Sequence, residues 1–141
     1  MEGQAQLDFE VSDAKGFEMS MSREPISEEM LLAKINEGRR QMNPLERRFW
    51  DAICITPEKW SLKPYGDLGG GFWVVAILGS TVVWYNDIEE GFNRSRYVRF
   101  GTIPQSEYWC NQDELQWTVR LLMGIVSSGE NPGGQLSLIH I

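Results

Sequence analysis

The chain has 141 residues, about one domain's worth, and carries a net charge of −7. Hydrophobic residues make up 42% and aromatic residues 11%, which excludes a wholly disordered chain. An acidic balance argues against nucleic acid as a partner, and the longest apolar run, Phe72–Leu78, is too short to cross a bilayer.

The charge is uneven. Residues 1–30 hold eight acids against Lys15 and Arg23, whereas residues 31–141 hold twelve acids and eleven bases. This suits a soluble protein or one that meets a basic partner. There is no basic start followed by an apolar run, so no signal peptide is expected. Cys54 and Cys110 form no Cys-x-x-Cys pair and read as free, buried thiols in a reducing cytoplasm.

Residues 1–24 are polar and acidic and read as a poorly ordered leader with one short strand near Leu7–Val11. A single domain follows over 25–128. A first helix begins at Ser27, which can cap it. Glu28 and Glu29 lie in its first turn, and Ile26 and Leu31 have the spacing of a hydrophobic staple. Leu31, Ile35 and Met42 form its apolar stripe, and Gly38 weakens it. A second helix starts at Asn43-Pro44 with Glu46 completing a capping box. Its apolar face carries Leu45, Phe49 and Ile53, and Thr56-Pro57 ends it.

Trp60 and Leu62 suggest a short strand. The run Phe72–Tyr85 then reads as a hairpin around a type II′ turn at Gly79-Ser80. A two-residue loop pairs Leu78 with Thr81, Ala76 with Val83, Val75 with Trp84 and Trp73 with Asn86. One face carries Trp73, Val75, Ile77, Val82 and Trp84. The other carries Phe72, Val74, Ala76, Leu78, Thr81, Val83 and Tyr85. Both are largely apolar, so both must be covered or lie in a subunit interface. A loop over 86–94 leads to a strand over Ser95–Phe100. A last helix starts at Asn111, with Glu114 completing its box and Cys110 and Leu115 as staple; Leu115, Val119, Leu122 and Val126 are its buried face. Residues 129–141 change character and read as a flexible tail or an expression scar. The pattern as a whole implies an α+β fold: an antiparallel sheet of about four strands, two N-terminal helices and one C-terminal helix.

The chemistry is bounded by one absence. The single histidine is His140, so the body has no His general base, no Ser-His or Cys-His pair and no His metal ligand. The Gly66–Gly71 cluster precedes a strand rather than a helix and reads as a turn, not a phosphate cradle. In the 86–91 loop calcium spacing fails, because Ile88 and Tyr97 fall where oxygen ligands are required. Arg39, Arg40, Arg47 and Arg48 form a basic patch that reads as a solvated helix face.

The remaining candidate is the loop after the hairpin. Asp87, Glu89 and Glu90 stand at one end of a rigid sheet, with Arg94 and Arg96 following and Tyr85 and Phe92 alongside. Aromatic anchors in a charged rim are what protein interfaces use. These seven residues are the expected partner-binding site of a small, acidic, non-enzymatic domain that needs no metal or cofactor. Immunity-type or regulatory inhibitors of basic partners have this general size and acidity, though no motif identifies such a family. Two alternatives stand beside it. One is a hydrolase using the Asp87, Glu89 and Glu90 carboxylates; the other is a homodimeric accessory protein built on the apolar hairpin faces.

Overall fold

The computed structural model describes residues 24–129. The leader strand expected near Leu7–Val11 and the tail from residue 130 onward lie outside the described residues.

The chain forms helices α1 (Glu28–Arg40) and α2 (Pro44–Ile53), then strands β1 (Cys54–Trp60), β2 (Phe72–Leu78), β3 (Thr81–Asn86) and β4 (Gly91–Arg96), and finally helix α3 (Leu115–Ser127). The strands make one antiparallel sheet in the order β1-β2-β3-β4, so the fold is α+β, as the pattern of the sequence implies.

Local signals set both N-terminal helix starts. Ser27 Oγ accepts from the Met30 amide at 3.1 Å, and Asn43 and Glu46 exchange both bonds of a capping box at 2.8 and 2.9 Å. The α2 face is rotated from the expected stripe. Trp50 and Ile53 are buried with Glu46, while Leu45 is exposed. Nor does Pro57 end the helix: the chain turns from α2 directly into β1 at Cys54. Pro57 is tolerated because β1 is an edge strand whose register with β2 is interrupted between Cys54 and Glu58.

The hairpin turn forms as expected, with φ at Gly79 of 62° and no positive φ at Ser80, the type II′ combination. Leu78 pairs with Thr81 and Ala76 with Val83, but Val74 then pairs with Trp84 and Trp73 with Tyr85. A bulge at Val75 causes this one-residue slip. Val75 and Ala76 both turn toward the helices, so Trp73 packs on the helix side while Trp84 lies on the opposite face.

Both faces are covered by the chain itself. On one, Val75, Ala76, Val83, Tyr85 and Phe92 meet Leu31, Ile35, Trp50, Leu115, Val119 and Leu122 of the three helices. On the other, Phe72, Val74, Val82 and Trp84 are roofed by Trp60, Leu62, Ile88 and Ile103. Full burial of each such side chain contributes about 1.5–3 kcal/mol. The helix layer is close-packed at one point: a Cβ on Gly38 of α1 would sit 2.7 Å from Leu115 Cβ of α3, so this glycine permits the crossing.

The fourth strand begins at Gly91, not at Ser95, and ends at Arg96. Its outer edge is closed by residues 107–113. The Arg96 amide donates to Glu107 at 2.9 Å and the Phe92 amide to the Asp113 carbonyl at 2.8 Å. Asn93 and Asn111 exchange bonds at 2.9 and 3.1 Å. Asn111 is thereby fixed to the sheet and cannot cap α3, which starts at Leu115 behind Glu114. Cys110 is not a buried staple residue, and Cys54 is not core; both thiols are exposed.

Candidate functional site

The turn between β3 and β4 is built on a buried asparagine. Asn86 Oδ1 accepts from the Ile88 and Glu89 amides at 2.9 and 3.1 Å. Its Nδ2 donates to Tyr108 Oη and the Trp109 carbonyl, both at 3.0 Å. Both lone pairs and both N–H donors of this amide are used, so the turn is anchored to the segment that closes β4. Burial pushes the Tyr108 phenol pKa up, against the lowering effect of the Asn86 bond.

The turn closes at Glu90, whose amide donates to the Asn86 carbonyl at 2.7 Å and whose φ is 63°. Glu90 is the one non-glycine residue with positive φ among the described residues. An L-residue there costs about 1–2 kcal/mol relative to the right-handed region. Glycine at 91 is required for another reason: a Cβ there would meet Asn111 O and Gln112 Cα at 2.3 Å.

Two adjoining cavities flank Glu90. One, of about 200 Å³, lies between α1, the turn and the start of α3, and is lined by Lys34, Glu37, Gly38, Glu90, Asp113, Glu114 and Gln116. The other, of about 460 Å³, lies between the approach to α1 and the turn, and is lined by Glu24, Ile26, Lys34, Asp87 and Glu90. Tyr85 and Lys34 border both. Among the described residues, six carboxylates and a single cation thus line one continuous stretch of surface. That cation, Lys34 Nζ, lies 5.8 Å from the centre of the Tyr85 ring.

The side chains of Glu90 and Asp113 have no hydrogen-bond or ion-pair partner among the described residues. Glu37 is paired with Gln41 just past the end of α1 and with Arg40 in its last turn, and both contacts hold its carboxyl below the ordinary value. Gln116 is 5% exposed; its Nε2 donates to Glu114 at 2.8 Å, but its Oε1 is buried with no donor. No three His, Cys, Asp or Glu side chains converge closely enough to hold a metal ion among the described residues.

The expected site residues divide. Asp87, Glu89 and Glu90 are brought together at the turn, but Asp87 Oδ2 also accepts from the Ile26 amide at 2.8 Å and so secures the approach to α1. Tyr85 and Phe92, expected as interface anchors, are each 3% exposed and stack edge to face at 4.9 Å in the helix-side core. Arg96 points to the edge of β4, where Nε and Nη2 hold Glu107 at 3.2 and 3.0 Å. Half-buried Arg94 lies in the middle of β4 opposite Val83, where burial lowers its pKa and the Glu107 charge partly restores it.

Comparison with protein-family models, with curated proteins and with solved structures gives no match. The site is therefore read on its own geometry. Glu37, Asp113, Glu114 and Gln116 were not legible as site residues, because the fold brings them to the turn from α1 and from the start of α3. The one local signal was the acid pair Asp113-Glu114 in front of a helix, which reads equally as capping.

The basic patch is mostly internal scaffolding. Arg39 forks onto Asp51 at 3.0 and 2.6 Å, and Arg47 donates to the Arg39 and Arg40 carbonyls at the end of α1. Arg120 of α3 binds Glu46 at 2.7 Å and the Gln41 carbonyl at 3.3 Å. No helix among the described residues is long and apolar enough to cross a membrane.

Proposed function

We propose that this chain is a non-enzymatic protein-binding domain that engages a basic partner through the acidic face around Glu90. One observation carries the reading: charge is segregated on the fold. Among the described residues, six carboxylates line the two cavities beside the β3–β4 turn with Lys34 as their only cation. Meanwhile Arg39, Arg47, Arg96 and Arg120 are bound to acids or carbonyls elsewhere. A one-sign patch on a rigid sheet end accelerates encounter with a basic surface. An inhibitor or regulator of that partner is the role such a domain would fill.

The test is capture of partners by the wild-type protein and by a Glu89→Lys/Glu90→Lys variant, followed by association kinetics with the partner recovered. Asp87 is left intact because it holds the Ile26 amide. A basic partner should bind the variant with an association rate at least about tenfold lower and a flatter salt dependence. An unchanged rate and salt dependence would refute the reading.

A further inference from the structure

We infer that the outward face of α3 is an interface with a second copy of this chain. Trp117 and Leu121 are 54% and 49% exposed there, large apolar side chains left in water. They stand one turn apart, and Gly124 and Ser128 continue the same row of the helix.

Gly124 is the observation that asks for another chain. Glycine is the poorest helix former after proline, yet it stands inside a thirteen-residue helix. No contact among the described residues accounts for it, since a Cβ at Gly124 would meet no atom within 4 Å. Gly38 of α1, by contrast, makes room for Leu115 of α3, whose Cβ lies 2.7 Å from where its own would stand. A glycine open to solvent on a helix face lets a second backbone or a large side chain approach closely.

Symmetry and charge select the occupant. Trp117 and Gly124 lie two turns apart, about 10 Å along the axis. Two α3 helices packed antiparallel, with the two-fold axis midway between those residues, set each Trp117 over the Gly124 of the other copy. The two Leu121 side chains then meet beside the axis, and the contact is self-complementary. Arg120 is the single charge in α3, and Glu46 already binds it at 2.7 Å. A chain of net charge −7 can therefore meet its copy here without apposing acids. Asp113 and Glu114, at the start of each helix, fall at opposite ends of the pair. The two Glu114 residues lie about 20 Å apart along the axis, beyond the Debye length of about 8 Å at physiological salt. A basic protein would find no acid on this row, and an acidic one only a neutralised arginine.

Trp117 is already oriented for the contact. The Arg120 guanidinium lies 4.6 Å over its ring, so little rotamer freedom is lost when the open side is covered. A single helix about 20 Å long offers less than the roughly 800 Å² per partner of a standard interface, so the dimer is weak, with a Kd of about 10–100 µM.

Sedimentation equilibrium of the full chain from about 5 to 500 µM tests this, and the wild type should pass from monomer to dimer across that range. Trp117→Gln/Leu121→Gln, with an unchanged circular dichroism spectrum, should raise Kd at least about tenfold. Gly124→Gln separates the helix from the interface. In dilute solution its Tm should rise by about 2–4 °C, because glutamine favours the helix. Its Kd should nevertheless rise at least about tenfold, because the space for Trp117 is filled. In a mixture of labelled and unlabelled chains, isotope-filtered NMR should give contacts from the Trp117 ring to Gly124 of the other copy. A chain that stays monomeric to about 500 µM overturns the inference. So does a dimer that persists in the double variant, or one that Gly124→Gln leaves unchanged or tightens. A monomeric chain that captures a different protein through Trp117 would give the face another occupant, and overturns it too.

Discussion

Replacing Glu90 by glycine should stabilise the fold. With φ at 63°, the glutamate Cβ crowds the backbone, at a cost of about 1–2 kcal/mol that glycine does not incur. Glycine loses more chain entropy on folding, which returns about 0.4–1 kcal/mol. At the middle of both ranges the net gain is about 0.8 kcal/mol, or a rise in Tm of about 3–6 °C for a domain near 100 residues. Glu90 is exposed and its side chain makes no hydrogen bond or ion pair among the described residues, so no contact is lost to offset the gain. Repulsion from neighbouring Asp87 and Glu89 would make the same prediction for any neutral residue, and a short series separates the two causes. If φ is responsible, Glu90→Asn also stabilises, because asparagine tolerates the left-handed region, while Glu90→Ala keeps the strain and gains little. Thermal and urea unfolding followed by tryptophan fluorescence measures all three. A destabilised Glu90→Gly, or an alanine variant as stable as the glycine one, would refute the backbone argument.

Three other perturbations test the frame that holds the site. At Glu46, burial opposes the charge, but the Arg120 and Asn43 bonds and the Arg120 charge outweigh it and hold the carboxyl below its ordinary value. Its contribution is therefore complete above the ordinary pH of about 4.5 and fades as pH falls through the lower folded value. Arg120→Met strands a buried carboxylate and should cost about 3 kcal/mol at pH 7, and the loss should shrink in acid denaturation profiles. Gly91→Ala should cost about 3 kcal/mol or more, since its Cβ would meet the 111–112 backbone at 2.3 Å. Hydrogen exchange should then show residues 107–113 loosened from β4. Cys54 and Cys110 should both react with a thiol reagent in the native state, but slowly at pH 7. Partial burial raises both pKa values, helped by the Asp51 charge at Cys54 and the Glu89 charge at Cys110. A single reactive thiol would contradict the exposure of one of them.

What could be read in the residues was whatever is decided within one turn of chain. Ser27 and Asn43 cap their helices by reaching three residues ahead, and Gly79-Ser80 selects its turn by φ alone, so all three were legible. The hairpin faces were not, because the bulge at Val75 leaves no trace where both sides of a strand are apolar. Alternation specifies a register only when one face is polar. On α2 the stripe of Leu45, Phe49 and Ile53 looked like the core face, and nothing local showed that Trp50 is buried in place of Leu45. Pro57 hid β1, since only an edge position tolerates it.

The start of α3 was misread for a reason that bears on function. Asn111, Glu114 and Leu115 carry every local sign of a capped helix, yet Asn111 bonds to Asn93 across the sheet edge instead. That contact keeps 108–113 extended along β4 behind the helical turn Gln105–Glu107, so that Asp113 and Glu107 satisfy the Phe92 and Arg96 amides and close an edge that would otherwise invite pairing with other chains. It also delays the helix until Leu115, which sets Asp113, Glu114 and Gln116 beside Glu90. A helix begun at Asn111 would have carried Asp113 into its first turn and used its charge on the dipole. The segment that seals the sheet is thus the one that brings a second set of carboxylates to the turn. Loosening it by Gly91→Ala should weaken a basic partner even though Glu89 and Glu90 are untouched.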